Sequence, residues 1–143
     1  MNRKIRDIVK DQAILTATAD LSVREATRRM ADAKVGAIMI TAKGGKLAGI
    51  FTERDALVKV LANGVDPDKT TLAQVMTSDP TTANADKNLG YALHMMYDGG
   101  FRHVPVVDNG VPVGMISARD ALGPEMVEFE AEIAQRQSIT ELL

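Results

Sequence analysis

The sequence predicts a mixed α/β (α+β) fold built from two copies of one unit, ordered strand–helix–strand–strand–helix, with a further helix at the C-terminus. Three observations predict it. The nine residues Gly49-Ile50-Phe51-Thr52-Glu53-Arg54-Asp55-Ala56-Leu57 recur as Gly114-Met115-Ile116-Ser117-Ala118-Arg119-Asp120-Ala121-Leu122, 65 positions on. Upstream, Thr16 to Asp20 recurs as Thr82 to Asp86, and Met30 as Met96, at an offset of 66. The signals flanking both copies alternate in the same order between short apolar runs and helical stripes. The period exceeds that of solenoid repeats, and two copies suggest a pseudo-two-fold pair rather than an array.

In the first copy, Ala13 to Thr18 reads as an extended segment. Ser22 is placed to cap a helix, with Glu25 three residues on as a capping box. Val23, Ala26, Met30 and Ala33 give that helix an apolar stripe. Val35 to Thr41 is a continuous apolar run, as expected of a buried strand. Lys43-Gly44-Gly45-Lys46 is a turn, Leu47 to Phe51 a second strand. Thr52 opens a helix through Leu61 that ends at Asn63-Gly64.

The second copy repeats the plan. Asn88 caps Leu89 to Tyr97, with Ala92, Leu93 and Met96 on one face, and Gly99-Gly100 stops the helix. Phe101 to Val107, the turn Asp108-Asn109-Gly110, and Val111 to Ile116 form a hairpin. Ser117 opens a last short helix, broken at Gly123-Pro124. The expected organisation is a first repeat over 3–64, an exposed linker over 65–71, a second repeat over 72–122 and an amphipathic helix over 123–143. In the tail, Met126, Phe129 and Ile133 share a face, and Ile139, Leu142 and Leu143 extend its apolar content. Such a helix needs a packing partner, its own chain or a second subunit, and the sequence leaves both open.

Composition bounds the function. At 143 residues with 45% hydrophobic and 25% charged residues, the chain can bury a core of its own and is not a disordered polymer. With no cysteine, thiolate metal sites, disulfides and cysteine nucleophiles are excluded. A net charge of −2 gives no electrostatic case for nucleic acid. The charged start Met1-Asn2-Arg3-Lys4 does not read as a signal peptide, and the longest apolar runs fall far short of the ~20 residues of a membrane span. A cytoplasmic protein that binds neither nucleic acid nor membrane is expected.

The marks Gly49…Thr52…Asp55 and Gly114…Ser117…Asp120 resemble those of a tandem pair of CBS domains, the module named after cystathionine β-synthase. The run Phe101 to Asp108 supports the resemblance, as does the lead-in Ile5-Arg6-Asp7-Ile8-Val9, echoed at Leu72-Ala73-Gln74-Val75-Met76. It covers residues 3 to about 122. The resemblance implies two repeats packed sheet to sheet about a pseudo-two-fold axis. It also implies two clefts that bind adenosine-containing ligands: AMP, ADP, ATP, NAD or S-adenosylmethionine.

By that resemblance, cleft one draws Ile50, Thr52, Arg54 and Asp55 from the first copy and Asp79, Thr81, Phe101, Arg102 and His103 from the second. Cleft two draws Met115, Ser117, Arg119 and Asp120 from the second copy and Ala13, Leu15, Val35, Gly36 and Ala37 from the first. The residue types alone read Thr52 with Asp55, and Ser117 with Asp120, as helix caps. A carboxylate also suits two vicinal ribose hydroxyls, and capping and binding are compatible. Arg102 and His103 are either a solvated strand end or phosphate ligands. Because Gly36-Ala37 stands in their place in cleft two, cleft one is expected to handle phosphates better. His94 reads as packing or surface, Met95-Met96 as core filling, and Arg28-Arg29 as a solvated helix face.

No catalytic triad, acid–base carboxylate pair or metal cluster is visible in the sequence. A non-catalytic sensor that signals to an unidentified partner protein is expected, in keeping with the resemblance, and so is a homodimer. The alternatives are a structural oligomerisation module without nucleotide and an enzyme in which Asp55 and Asp120 act by default.

Overall fold

The structure, a computed structural model, describes residues 3–142. Met1, Asn2 and Leu143, read above as parts of the charged start and the apolar tail, lie outside the described residues. The elements in chain order are α1 (Ile5–Val9), β1 (Thr16–Thr18), α2 (Val23–Ala33), β2 (Ala37–Thr41), β3 (Leu47–Thr52) and α3 (Glu53–Asp55). A π-helical turn, Ala56–Leu61, continues α3. Then follow α4 (Leu72–Val75), β4 (Thr77–Ser78), α5 (Leu89–Gly99), β5 (His103–Asp108), β6 (Val111–Ser117), a 3₁₀ turn (Ala118–Asp120) and α6 (Gly123–Leu142). This is the expected mixed α/β pair of repeats with a C-terminal helix.

Each repeat is centred on a hairpin. The first joins β2 and β3 antiparallel, with β1 parallel beside β2. The second joins β5 and β6, and Ala83 alone bridges in parallel to Val106. Both hairpins carry a register shift next to the turn, at Ile40/Thr41 and Val106/Val107. The one-residue difference between the two repeat offsets falls in the turns. The second turns at Asn109 (φ 51°) and Gly110 (φ 81°), the two left-handed positions that a tight hairpin of right-handed twist requires. The first makes a wider turn through Lys43–Gly45. The two tips meet: Leu47 N–H donates to the Gly110 carbonyl at 2.8 Å, and Lys46 Nζ bonds to the Asn109 carbonyl.

The lead-in helices cross over. Leu72 and Val75 of α4 lie in the core of the first repeat with Val23, Ala26, Met30, Ile38, Ile40 and Phe51. Ile5 and Val9 of α1 lie in the core of the second with Leu89, Ala92, Leu93, Met96, Val104 and Ile116. Burying a side chain such as Phe51, which is fully enclosed, contributes roughly 2 kcal/mol. Backbone bonds secure the exchange: Leu72 N–H to Leu21 O and Ala73 N–H to Ala19 O on one side, Ile5 N–H to Lys87 O and Leu89 N–H to Arg3 O on the other. This exchange explains the glycine that opens each copy of the repeated motif. A Cβ on Gly114 would sit 2.4 Å from Val9 Cβ, and one on Gly49 would sit 2.6 Å from Met76 Sδ.

Several local expectations are corrected. The strands at Ala13, Val35 and Phe101 begin later, at Thr16, Ala37 and His103; Ala13, Leu15, Val35 and Gly36 line one cavity and Phe101 the other ahead of the ladders. The capping box at α2 forms only in half. Glu25 N–H donates to Ser22 Oγ at 3.1 Å, but the Glu25 carboxylate turns to Arg28 (2.8 Å) and Arg29 (3.3 Å). Asn88 precedes α5 without a side-chain cap; its backbone bridges to Lys4 instead. Ser117 opens one 3₁₀ turn rather than a helix: Ala121 already has extended backbone (ψ 127°), and Gly123 begins α6 instead. Within 65–71, Asp66, Asp68 and Lys69 are exposed, but the segment is anchored: Thr70 is buried, its hydroxyl donates to the Asp66 carbonyl at 2.7 Å, and Arg24 pairs with Asp68 at 3.0 Å.

Of the two packing partners left open for the tail, the structure shows its own chain: α6 folds back on α5. Phe129 stacks edge-on between His94 and Tyr97, at ring centroid distances of 5.1 and 6.3 Å. Arg136 donates to His94 Nδ1 at 3.1 Å, which leaves His94 Nε2–H for Glu132 at 2.7 Å. Arg136 also pairs with Asp98 at 3.0 Å. His94 is thus a packing residue, as its place on α5 suggested.

Candidate functional site

Two cavities of about 760 and 490 Å³ lie between the repeats. The structure brings every sequence-assigned residue of each cleft together. The larger cavity gathers Ile50 and Thr52 from the end of β3, Arg54 and Asp55 from α3, and Asp79 and Thr81 from the loop after β4. Phe101, Arg102 and His103, from the approach to β5, complete it. The smaller gathers Met115 and Ser117 of β6 with Arg119 and Asp120 of the 3₁₀ turn. Ala13 and Leu15 precede β1 there, and Val35, Gly36 and Ala37 lead into β2.

Each cavity holds one carboxylate fixed by its own backbone. Thr52 N–H donates to Asp55 Oδ2 at 2.9 Å, and Asp55 N–H donates back to Thr52 Oγ1 at 3.2 Å. Ser117 N–H donates to Asp120 Oδ2 at 2.7 Å, the start of the equivalent reciprocal box. The box sets the rotamer of the aspartate and occupies one oxygen. The other, Oδ1, lies outside the box; in Asp55 it pairs with Lys59 Nζ at 3.3 Å and keeps acceptor capacity for a further donor. A fixed carboxylate with a spare acceptor at a cavity wall is the geometry that a diol of a sugar can meet.

His103 lines both cavities. Its Nε2 would be 3.2 Å, and Glu53 Oε1 3.1 Å, from a Cβ placed on Gly36, so glycine there makes room for both side chains. Burial pushes the His103 imidazole below its ordinary value. Glu53 and Asp120 oppose that shift, and Arg119 and Arg102 reinforce it. The ring is therefore neutral at neutral pH, and charged groups of both cavities act on it.

Sequence reasoning missed Glu53, Leu57, Thr77, Pro80 and Gly100 in the larger cavity, and Gln12, Ile14, Lys34 and Met39 in the smaller. Met39 was accessible through strand alternation, since it shares a face with Ala37. Lys34, in left-handed conformation (φ 57°) after α2, gave no such signal. Gln12 gave none either: its side-chain amide exchanges two bonds of 2.9 Å with the backbone N–H and C=O of Met115, as a neighbouring strand would. Among the described residues, no cluster of three His, Cys, Asp or Glu could hold a metal ion, and no helix is long and apolar enough to cross a membrane.

Two repeats with exchanged lead-ins and a cavity on each side of their contact define the class. The chain belongs to the CBS domain family, whose model matches it twice, over residues 5–62 and 72–123. It is 34% identical over 125 residues, 87% of its length, to the CBS domain-containing protein CBSCBSPB3 of Arabidopsis thaliana. The chain spans about a fifth of the length of that relative. Among solved structures it is similar to a CBS domain protein of Pyrobaculum aerophilum complexed with AMP. That likeness has a TM-score of 0.78 and 25% identity, and covers 90% of this chain and 98% of that one. It is also similar to a CBS domain pair in complex with 5′-methylthioadenosine and S-adenosyl-L-methionine, with a TM-score of 0.75, 28% identity and coverage of 84% and 93%.

Proposed function

We infer that this chain is a non-catalytic regulatory module that binds an adenosine-containing ligand in the clefts between its repeats. The observation that carries the reading is the pair of box-fixed aspartates, Asp55 and Asp120, one at each cavity. Ligands bound to similar CBS pairs, AMP in one and 5′-methylthioadenosine with S-adenosyl-L-methionine in another, support it. AMP, ADP, ATP, NAD and S-adenosylmethionine all share the group that such a carboxylate grips. Each cleft takes side chains from both repeats, so a ligand there favours one relative packing of the repeats over another. A population shift between packings would be the signal passed to a partner protein.

The functional unit is the pair, because each core is completed by the other repeat's lead-in. Assembly into a homodimer is part of the same proposal. Leu61, Leu122 and Val127 are large apolar side chains more than half exposed, and their exposure supports that part of the reading.

A thermal-shift series with AMP, ADP, ATP, NAD, 5′-methylthioadenosine and S-adenosylmethionine tests the reading. A ligand that binds only the folded state raises the melting temperature by mass action. At least one is expected to do so at millimolar concentration, and Asp55→Ala with Asp120→Ala to abolish the shift. No shift with any of them would overturn the ligand-binding reading and leave the oligomerisation module in its place.

A further inference from the structure

The pseudo-symmetry makes the charges of the two clefts directly comparable. Arg54 of cleft one corresponds to Arg119 of cleft two, and Asp55 to Asp120. Arg102 of cleft one faces Gly36 in the equivalent place, but cleft two recovers the cation at Lys34, where cleft one has Gly100. The basic side chains therefore balance. The acidic ones do not: Glu53 and Asp79 line cleft one, and their equivalents in the second and first repeats are Ala118 and Ala13. Cleft one thus sets two cations against three carboxylates, and cleft two sets two cations against one. Lys59, 3.3 Å from Asp55, brings cleft one only to balance.

Asp79 is not a stray surface acid. It holds a left-handed backbone (φ 48°), with its N–H bonded to the Ala48 carbonyl at 3.2 Å, which fixes the chain at the wall of cleft one. The exposed Glu53 carboxylate lies in the space that Gly36 leaves beside His103. The Asp79 backbone and the Glu53 carboxylate are thus held at the rim of cleft one, and both charges act on whatever enters it.

We propose that the two clefts sort adenosine ligands by charge: the smaller cleft, lined by Lys34 and Arg119, takes a phosphorylated one, and the larger cleft takes a neutral or cationic one. This reverses the expectation drawn from Arg102 and His103 alone. His103 lines both clefts and so favours neither. The proposal rests on the adenosine-binding reading above.

AMP and 5′-methylthioadenosine form the matched probe, since they share adenosine and differ in the 5′ phosphate. Isothermal titration is expected to show AMP binding weakened about tenfold by Lys34→Glu, with 5′-methylthioadenosine unaffected. Glu53→Gln with Asp79→Asn is expected to let a second AMP bind. These exposed side chains lie outside the capping boxes, so the variants keep the fold. AMP binding that falls with Arg102→Gln and ignores Lys34→Glu would overturn the sorting while leaving adenosine binding intact. Inorganic phosphate, followed by amide NMR, separates the two questions. Shifts at Lys34 and Arg119 are expected to exceed those at Arg54 and Arg102. Equal or inverted shifts would overturn the proposal whether or not any nucleoside binds.

Discussion

The first repeat completes the β3 edge of its sheet with backbone, and the second completes the matching β6 edge with one side chain. β3 is flanked by β4, paired at Gly49 with Ser78 and at Ile50 with Thr77, so the first sheet has four strands in the order β1-β2-β3-β4. Among the described residues, only β5 and β6 pair as strands in the second sheet. Ala83 supplies a single bridge on one edge, and the Gln12 amide stands on the other where β4 stands in the first. A duplicated motif has thus kept its hairpin and its capping box while its edges diverged. The edges are where each repeat borrows from its neighbour, so they belong to the pair and not to the unit. The clefts diverge in a similar way: the capping aspartates match, while most of the residues delivered from the opposite repeat differ, and Glu53 stands where the second copy has Ala118.

The sharpest way to break the exchange is at the motif glycines. Gly114→Ala puts a methyl group 2.4 Å from the branched Cβ of Val9, which cannot move without displacing α1, and is expected to cost about 3 kcal/mol in urea unfolding. Gly49→Ala meets the flexible Met76 thioether at 2.6 Å and the Thr77 carbonyl at 2.9 Å, and is expected to cost less, about 2 kcal/mol. Equal costs would show that the two edges are mechanically alike.

Next in size is the side-chain edge. Gln12→Ala removes both bonds to Met115 and is expected to cost about 1 kcal/mol and to speed hydrogen exchange at the Met115 amide, with the Ile50 amide unchanged. The capping boxes follow. Thr52→Ala is expected to cost about 1 kcal/mol, because α3 and its π-helical continuation depend on it; Ser117→Ala is expected to cost less, because it caps a single 3₁₀ turn.

The smallest effect is a pH dependence. His103 is held neutral by burial, so its folded-state pKa lies below the ordinary 6.5 and the unfolded chain binds the extra proton first. Its contribution is complete above about pH 6.5 and is lost as pH falls from there through the folded-state value. The melting temperature of the native chain is expected to fall more steeply between pH 7 and 5 than that of His103→Gln. Parallel curves would remove His103 as the titrating group.

The hairpins, the α2 and α5 stripes and the repeated Thr/Ser-to-Asp boxes were legible because each is fixed by residues within a few positions of one another. The capping oxygens of Thr52 and Ser117 lie in the same sequence window as the amides that they cap. The exchange of α1 and α4 was not legible, because Ile5 and Leu72 carry the same apolar signal whichever core receives them. The clefts were assigned through the family's pattern, and every residue so assigned lines its cavity. Lys34, Glu53 and Gln12 escaped because nothing in their neighbours reveals what the opposite repeat places beside them. Gly36 did carry a trace of it: the missing side chain is the space that His103 and Glu53 occupy.

The most direct test of ligand binding by the box-fixed aspartates is an isothermal titration of AMP into the native chain and into the double variant Asp55→Ala, Asp120→Ala, with folding of both verified by circular dichroism. Saturable heat from the native chain and none from the folded double variant is the expected result. Equal heat from both, or none from the native chain, would contradict it.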